Sequence, residues 1–279
     1  MADWLLVDNG SLRPASTLRL RELAAALSRR VGENVRPVSL LHSGKIPPGE
    51  LGGESAVVLE PSLRRGLENG QSVFRVIPLF FGPSRALTDY LPKRATALRR
   101  RFPDLDLRIA PVLCDADRGG ETRVAEILRD HVLERLAPEE PPPPVVLVDH
   151  GSPEPAVARA RNFVAGQLSV LLGGRAARVA AASMERRDGD EFRFNEPLLA
   201  DLLAREGFNS GKVVVAMMFL SPGRHAGPGG DVATICGEAE AGHPDLKTVM
   251  TRLAGEHPLL LDILADRFTQ LRAGAGMAC

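Results

Sequence analysis

Two short apolar segments, each closed by an aspartate and a turn, decide how this chain folds: Trp4-Leu-Leu-Val-Asp-Asn-Gly-Ser11 and Val145-Val-Leu-Val-Asp-His-Gly-Ser152. Their aspartates lie 141 residues apart, and the same spacing relates Phe102-Pro-Asp-Leu105 to His243-Pro-Asp-Leu246. Segments that recur at a constant spacing are the signature of repeated structural units. The sequence therefore predicts an internal duplication, with one copy in each half of the chain.

Two further pairs of segments between these anchors support the duplication. Pro78-Leu-Phe-Phe-Gly-Pro-Ser-Arg85 matches Met217-Met-Phe-Leu-Ser-Pro-Gly-Arg224 at a spacing of 139, and Glu60-Pro-Ser-Leu63 matches Glu196-Pro-Leu-Leu199 at 136. Insertions and deletions in the loops of two copies produce such small changes of spacing.

A proline-rich linker separates the two copies. Residues 137–144 read Ala-Pro-Glu-Glu-Pro-Pro-Pro-Pro, and consecutive prolines favour a stiff extended segment because they cannot continue a helix. The expected organisation is an N-terminal repeat over residues 1–136, the linker, and a C-terminal repeat over residues 145–279.

The composition narrows the possible classes of function. The chain of 279 residues carries 35 basic and 35 acidic residues, so its formal charge is zero, which disfavours a general nucleic-acid binder. No apolar stretch approaches the roughly 20 residues that span a membrane, and the acidic N-terminus is unlike a signal peptide. The three cysteines form no Cys-x-x-Cys pair, which disfavours a zinc ribbon or an iron–sulfur centre. We expect a cytoplasmic protein that binds neither nucleic acid nor membrane.

The pattern of apolar segments predicts the fold class. Continuous apolar runs without alternation suit strands that are covered on both faces of a parallel sheet. In the second copy the predicted strands are residues 145–149, 177–183, 213–219 and 248–252, and the predicted helices include 156–172 and 258–271. Strands that alternate with helices indicate an α/β protein of two duplicated, doubly wound lobes, each with a mainly parallel central sheet flanked by helices.

The clearest functional signal is a difference between the two copies. His150 and His225 follow predicted strands of the second copy, whereas the first copy has Asn9 and Ala86 at the matching positions. Ligands bind beyond the carboxyl ends of parallel strands, and two imidazoles in one cleft suit a divalent first-row metal or proton transfer. The alternative interpretation makes His150 a turn residue and His225 a loop residue, but both copies would then need them equally.

Three other side chains have less decided roles. Glu185 follows the next predicted strand and matches Gly44 at a spacing of 141, so the first copy also lacks this carboxylate. Glu185 is either a metal ligand or proton acceptor, or a solvated surface residue. Asp149 is kept in the first copy as Asp8, which favours a structural role in the turn. We expect His257 to cap or turn the chain before the last helix.

Arginines near the predicted cleft are candidates for binding a substrate rich in carboxylates, because guanidinium groups bind carboxylates in a bidentate manner. The alternative for each of them is a solvated surface position. These residues are Arg159, Arg161, Arg186, Arg187, Arg193 and Arg224. The glycine-rich loop 221–231 lacks the Gly-Lys-Ser/Thr ending of a phosphate-binding loop. No nucleotide cofactor is therefore expected, and the loop is interpreted as a flexible lid or ligand-covering segment.

Three motifs of the second copy resemble those of the class II chelatases, the CbiX-type sirohydrochlorin cobaltochelatases and ferrochelatases. His150-Gly-Ser152 is similar to the opening motif of that family, and Met217-Met-Phe-Leu-Ser-Pro-Gly-Arg-His225 is similar to its longest signature. Gly255-Glu-His-Pro-Leu259 matches its closing motif. The likeness extends over the second half of the chain and, in degraded form, over the first. In many two-domain relatives the active histidines lie in the N-terminal copy, whereas here they lie in the C-terminal one.

This resemblance implies a bilobal enzyme that inserts Co²⁺ or Fe²⁺, with Ni²⁺ as a further possible metal substrate, into the small-molecule tetrapyrrole sirohydrochlorin without a nucleotide. His150 and His225 would hold the metal and accept pyrrole protons, and Glu185 would assist both as ligand and as base. The tetrapyrrole would be contacted by the residues around them, namely Ser152, Arg186, Gly223 and Arg224. The sequence does not indicate the oligomeric state.

Two other functions are alternatives to the chelatase. A metal- or tetrapyrrole-binding protein that delivers its ligand to a partner would keep His150 and His225 without catalysing turnover. A hydrolase would use Ser152 with His150, but the two residues lie on one turn and the Gly-x-Ser-x-Gly pattern of a nucleophile elbow is missing.

Overall fold

The computed structural model describes residues 2–227 and 229–279. Strands and helices alternate through the first half of the chain. Its elements are β1 (Asp3–Asp8), α1 (Pro14–Val31), β2 (Val35–Ser39), α2 (Leu59–Glu68), β3 (Val73–Pro78), a π-helical turn (Ala86–Tyr90) that runs into α3 (Leu91–Arg99), β4 (Asp106–Ile109) and α4 (Arg123–Leu133).

The second half repeats this alternation. Its elements are β5 (Pro144–Asp149), α5 (Pro155–Leu172), β6 (Arg178–Ser183), α6 (Leu199–Leu203), β7 (Gly211–Met217), α7 (Asp231–Gly242), β8 (Leu246–Met250), α8 (Leu259–Arg272) and the short strand β9 (Met277–Ala278). The four strands and two helices predicted for this half are all found, with ends that differ by at most two residues.

The first sheet has the order β2-β1-β3-β4-β9, in which β9 alone runs antiparallel to its neighbour. Its interior strand β1 pairs in parallel with β2 and β3. Leu5, Leu6 and Val7 of β1 are fully buried, because helices cover both faces of a central parallel strand. This burial accounts for the continuous apolar run that the sequence displays there.

The second sheet is entirely parallel and has the order β6-β5-β7-β8. Asp149 pairs with Ser183, and Val148 pairs with Met217, so β5, β6 and β7 end at the same edge of the sheet. The chain moves from β5 to β6 on one side and then returns past β5 to β7 on the other. The loops after β5 and β7 therefore diverge, which opens a crevice at a topological switch point.

The predicted fold class is confirmed: the chain is an α/β protein with two mainly parallel sheets flanked by helices. None of the described helices is long and apolar enough to cross a membrane. Cys114, Cys236 and Cys279 are free thiols.

The compact units of the structure differ from the sequence repeats. One unit contains the chain through Leu113 together with Leu261–Cys279, and the other contains Cys114–Leu260. The boundary between the units therefore precedes the proline-rich segment 137–144. The last helix of the first repeat, α4, belongs to the unit formed by the second repeat. Most of α8, the last helix of the second repeat, belongs to the unit formed by the first repeat.

Specific contacts hold these two helices where they are. In the first unit, Phe268 of α8 packs against Trp4 with ring centroids 4.1 Å apart, and Arg267 donates to the Val112 carbonyl at 3.0 Å. In the second unit, Gln167 of α5 donates to the carbonyl of Glu121 at 3.0 Å, just before α4 begins. Tertiary packing of this kind leaves no local trace in sequence spacing.

Candidate active site

Three segments at the carboxyl edge of the second sheet carry the predicted site residues. His150 follows β5 directly, Glu185 stands two residues after β6, and His225 lies in the loop between β7 and α7. The imidazole rings of His150 and His225 have centroids 4.4 Å apart and are inclined by 57°. The structure thus brings together two imidazoles that the sequence separates by 75 residues. Pro228 of the glycine-rich loop lies outside the described residues.

The hydrogen bonds of His150 fix the position of its ring proton. Its Nδ1 lies 3.0 Å from the carbonyl oxygen of Gly151. A carbonyl oxygen only accepts hydrogen bonds, so Nδ1 is the donor and Nε2 carries the lone pair of the neutral ring. The Nε2 atom in turn lies 3.2 Å from Oε1 of Glu185.

This contact between His150 and Glu185 has a chemical consequence. An imidazole lone pair and a carboxylate oxygen are both acceptors, and two acceptors at 3.2 Å repel each other unless a positive species lies between them. That species is either a proton on Nε2 or a cation shared by the two groups. Proton and cation therefore compete for the same pair of atoms.

His225 is oriented by an acidic partner. Its Nδ1 lies 2.7 Å from Oδ2 of Asp231, the first residue of α7. The carboxylate accepts a hydrogen bond from Nδ1–H, so the lone pair of the neutral ring is on Nε2 of His225. Asp231, the last residue of the glycine-rich loop 221–231, was not among the predicted site residues. A carboxylate six residues after a candidate histidine, at the start of a helix, was the available signal.

The described ranges 2–227 and 229–279 contain no group of three or more His, Cys, Asp or Glu side chains arranged to hold a metal ion. His150, His225 and Glu185 do lie beside one another, but His150 and Glu185 are paired with each other and both Nδ1 atoms are already hydrogen-bonded. The predicted three-ligand metal set stays a prediction.

The turn after β5 is held in a conformation that only glycine tolerates. Gly151 has a φ of +92°, and a Cβ atom built there would lie 2.0 Å from the carbonyl oxygen of Glu185. Asp149 accepts a hydrogen bond from the Gly151 amide at 3.2 Å and one from the Ser183 hydroxyl at 2.7 Å. The predicted structural role of Asp149 agrees with these contacts.

Arg161 lies beneath this turn and is 1% exposed. Its predicted availability to substrate carboxylates is wrong, because its guanidinium points inward from α5 and donates to Ser183 Oγ and to the carbonyl of Asn195. The Asp149 carboxylate lies 3.6 Å from its Nη1 atom. Burial raises the pKa of Asp149, against the opposing effects of Arg161 and the Ser183 hydroxyl, and burial lowers the pKa of Arg161.

Asn195 clamps the residue that follows the turn. Its Oδ1 atom accepts from the Ser152 amide at 3.0 Å, and its Nδ2 atom donates to the Ser152 carbonyl at 2.9 Å. Asn195 is fully buried, and both ends of its amide are used. The sequence did not point to this residue, since an asparagine between Phe192-Arg-Phe194 and a Glu-Pro dipeptide carries no distinctive pattern.

The four residues predicted to contact a tetrapyrrole differ in availability. Arg224 is the most accessible of the four, since its side chain is 76% exposed. Its one ion pair among the described residues is a contact of 3.6 Å between its Nε atom and Oδ2 of Asp231. Arg186 is held by Glu196 at 3.0 Å and donates to two carbonyls of its own loop. The Ser152 hydroxyl accepts from the Glu154 amide, and the Gly223 amide donates to the Ala226 carbonyl.

The remaining candidate arginines are engaged at the surface. Arg159 pairs with Asp117 at 2.9 Å, Arg193 pairs with Asp190 at 3.0 Å, and Arg187 lies over the ring of Phe192. These contacts fit the solvated surface positions that were the alternative for them. His257 accepts from the Leu259 amide at 3.2 Å, in agreement with its predicted role in the turn before the last helix.

The first copy lacks the carboxylate of Glu185, but its matching residue is Leu41 and not Gly44. The amide of Glu185 donates to the carbonyl of His150 at 3.2 Å, and the amide of Leu41 donates to the carbonyl of Asn9 at 3.2 Å. The spacing of 141 was wrong here because the second copy is three residues longer before this point. These residues include the 3₁₀ turn Gly173–Arg175 between α5 and β6.

Comparison with known proteins supports the resemblance suggested by the motifs. Residues 144–271 match the CbiX family. No protein with a curated function matches the chain in sequence.

Three solved structures share the fold over nearly the whole chain. The structure of SirB from Bacillus subtilis with Fe³⁺ has a TM-score of 0.70 and 14% identity, and covers 98% of this chain and 96% of that one. SirB from Bacillus subtilis subspecies spizizenii, a sirohydrochlorin chelatase in complex with cobalt, has a TM-score of 0.67 and 14% identity, with coverage of 96% and 94%. CbiX, described as the terminal enzyme of sirohaem biosynthesis in denitrifying bacteria, has a TM-score of 0.60 and 17% identity, with coverage of 96% and 98%.

At these identities the structural likeness establishes the fold, while the family match concerns the part of the chain that holds His150, Glu185 and His225. The C-terminal repeat of this chain is thus similar in sequence to the CbiX family over residues 144–271, and the chain as a whole has the fold of SirB and CbiX.

Proposed function

We propose that this protein inserts a divalent metal ion, Co²⁺ or Fe²⁺, into sirohydrochlorin or a closely related tetrapyrrole. The observation that carries the proposal is the contact of His150 with Glu185 at 3.2 Å, with the ring of His225 4.4 Å away. The match of this region to the CbiX family supports it. The structures of SirB with Fe³⁺ and with cobalt, which share the fold, are further support.

Metal insertion needs groups that take up protons and groups that bind a cation for a short time. The macrocycle loses two pyrrole protons as the metal enters, so a base must stand close to the ring. His150 and Glu185 require a proton or a cation between them, because their acceptor atoms lie 3.2 Å apart. A metal ion that leaves this pair for the macrocycle frees the position for a proton, and His150 thus couples metal release to proton uptake.

His225 contributes a second imidazole lone pair beside His150. Asp231 accepts a hydrogen bond from its Nδ1–H and keeps Nε2 available as a metal ligand or base. Imidazole and carboxylate ligands accept Co²⁺, Fe²⁺ and Ni²⁺ alike, so the ligand set fits all three metals as substrates. The small number of ligands suits a site that must hand its metal on.

The surroundings complete the proposal. Arg224, Arg186, Ser152 and Gly223 are the residues proposed to contact the tetrapyrrole, with the exposed guanidinium of Arg224 suited to a substrate carboxylate. The N-terminal repeat, which lacks both histidines, is proposed to be a scaffold without a second active site. A cytoplasmic location is proposed because all three cysteines are free thiols, as is usual in a reducing compartment.

The direct test is anaerobic mixing of the purified protein with sirohydrochlorin and Co²⁺, Fe²⁺ or Ni²⁺, followed by absorbance of the macrocycle. We expect insertion faster than the uncatalysed rate, and loss of this acceleration in His150→Ala and in His225→Ala. Asn9→Ala, at the matching position of the N-terminal repeat, is the control that keeps full activity. Wild-type protein that binds metal or tetrapyrrole without accelerating insertion would overturn the proposal in favour of a delivery protein.

A further inference from the structure

Arg161 is an internal cation that the proposed chemistry does not use. It ranks first by size among the fully buried side chains of the described residues. Burying a charge costs free energy that only close partners repay, and apolar side chains of similar size often serve stability better. A buried arginine beneath a candidate site therefore calls for a role other than stabilising the core.

The contacts of Arg161 join segments that are distant in the sequence. Its Nη1 atom donates to Ser183 Oγ and to the Asn195 carbonyl, the latter at 2.9 Å, and its Nη2 atom donates to the Phe194 carbonyl at 3.3 Å. Asp149 lies 3.6 Å from Nη1. The planar guanidinium presents several donors to these groups in a fixed arrangement.

Each of these partners leads directly to a residue of the site. Ser183 stands two residues before Glu185, and Asp149 immediately precedes His150. Asn195 fixes both the amide and the carbonyl of Ser152, at 3.0 and 2.9 Å. Arg161 is thus the one side chain among the described residues that bonds to Ser183 and Asn195 while it faces Asp149.

The N-terminal repeat provides an internal comparison. It keeps Asp8 and Ser39 in the same paired register as Asp149 and Ser183. The pairing of these strand ends therefore forms without an arginine. The residue that matches Arg161 at the spacing of 141 is Leu20.

Asn195 has no equivalent in that repeat either. The Ser183 amide donates to the Pro197 carbonyl and the Ser39 amide to the Val57 carbonyl, so the two repeats correspond here at a spacing of 140, which matches Asn195 to Ser55. The arginine, the asparagine, both histidines and the carboxylate are absent together.

We propose that Arg161 is a positioning residue, which sets the distance between His150 and Glu185. It does so by tying the turn after β5 to the end of β6, which precedes Glu185, and to the segment that contains Asn195. This inference rests on the proposed function. It predicts that the loss of Arg161 weakens metal binding and slows metal insertion without weakening the binding of the tetrapyrrole.

Two variants and a control test this role. Arg161→Leu introduces the side chain that the N-terminal repeat has at this position. Arg161→Lys keeps a cation beside Asp149, and so protects the fold, but it loses the planar set of donors. Val164→Ala, in the same helix and fully buried, removes packing without touching the arginine contacts. Each protein is titrated with Co²⁺ alone by calorimetry and then assayed for insertion of Co²⁺ into sirohydrochlorin.

Removal of a group that supports ligands typically costs about 10–100-fold in metal affinity or activity. We expect losses of that size in Co²⁺ affinity and kcat for Arg161→Leu, an unchanged KM for sirohydrochlorin, partial recovery in Arg161→Lys, and no loss in Val164→Ala at equal folded fraction. If Arg161→Leu and Arg161→Lys bind Co²⁺ as the wild type does, the positioning role is overturned.

The two readouts separate this role from the proposed function. If the wild type binds Co²⁺ more tightly than both Arg161 variants but does not insert it, the proposed function alone is overturned. Wild-type protein that inserts Co²⁺ at a rate unaffected by both variants would overturn the positioning role alone. Absence of Co²⁺ binding and insertion in the wild type would overturn both.

Discussion

Asp8 and Asp149 end equivalent strands of the two repeats, but only Asp149 lies beside a buried cation. The Oδ1 atom of Asp149 is 3.6 Å from Arg161, whereas the buried Oδ1 atom of Asp8 has no hydrogen-bond partner in the described part of the chain. Burial raises the pKa of Asp8 to about 6, although the Ser39 hydroxyl opposes this. The N-terminal repeat therefore keeps an acid that it accommodates poorly.

This acid makes the stability of the protein depend on pH. The folded protein holds a proton on Asp8 up to about pH 6, whereas the unfolded chain loses it near the ordinary value of 3.8. The folded state thus binds more protons in this interval, and the free energy of unfolding falls as the pH rises from 4 to 6. This fall in the free energy of unfolding should amount to about 2–3 kcal/mol in the wild type and be absent in Asp8→Asn. Urea unfolding at pH 4.5 and 7.5 measures the change in the free energy of unfolding. Asp104→Asn, at an exposed position, is the control. A pH dependence in Asp8→Asn equal to that of the wild type would contradict this explanation.

Gly151 and Gly10 offer a matched pair of substitutions. Their φ angles are +92° and +85°, and an added Cβ would lie 2.0 Å from Glu185 O and 1.8 Å from Leu41 O, respectively. Either alanine variant should lose about 1–3 kcal/mol of stability, the usual cost of such backbone strain. Only Gly151→Ala displaces a residue of the proposed site, and a displacement of about 1 Å can cost about 100-fold in rate.

The measurement for this pair combines thermal unfolding with the insertion assay. If Gly10→Ala loses as much activity as Gly151→Ala at equal folded fraction, the turn in the C-terminal repeat has no special role in activity.

Asp231 should matter for activity more than for stability. Asp231→Asn replaces the acceptor that orients His225 at 2.7 Å, and we expect the insertion rate to fall about 10–100-fold. The loss of an acidic residue at the start of α7 should cost only about 0.3–1 kcal/mol. Asp262→Asn removes an acidic residue from the first turn of α8 and is the matched control. Equal activities of the two variants would contradict the role of Asp231.

His131 should make the protein less stable in acid. It is fully buried in α4, and burial, followed by the charge of Arg252, lowers its pKa below the ordinary value of 6.5. The nearby Glu134 opposes this shift, while His257, 5.3 Å away between ring centroids, reinforces it. The unfolded state binds more protons just below pH 6.5, so stability falls there as the pH falls.

We expect His131→Phe, which keeps a ring in the same place, to reduce this loss between pH 7.5 and 5. The midpoint of urea unfolding at the two pH values measures the effect. A loss as large as that of the wild type would assign acid sensitivity to other groups.

Much of the fold was predictable because its signals are local. The buried runs of β1 and β5 and the recurrence of their aspartates gave strand positions, parallel pairing and the duplication. The placement of α4 and α8 in the compact units was not predictable, since the amphipathic face of a helix does not specify which sheet it will cover. The shifted match of Glu185, from Gly44 to Leu41, arose from a three-residue insertion that a single spacing cannot reveal.

The site was only partly accessible to the same reasoning. Contrast between the copies identified His150 and His225, and the structure brings their rings within 4.4 Å. The same contrast distinguishes Arg161 from Leu20, but an arginine in a helix is expected at the surface, and only its burial reveals its role. Asn195 and Asp231 act through hydrogen bonds whose partners are set by tertiary structure.

The exchanged helices have a consequence for dissecting the protein. A polypeptide cut within residues 137–144 would give fragments that separate α4 and most of α8 from the compact units that contain them. Neither fragment would be a self-sufficient folding unit, so mixing or co-expressing them should regenerate the protein by complementation. We therefore expect each half to depend on the other for folding, so that the loss of histidines from the first half does not make it dispensable.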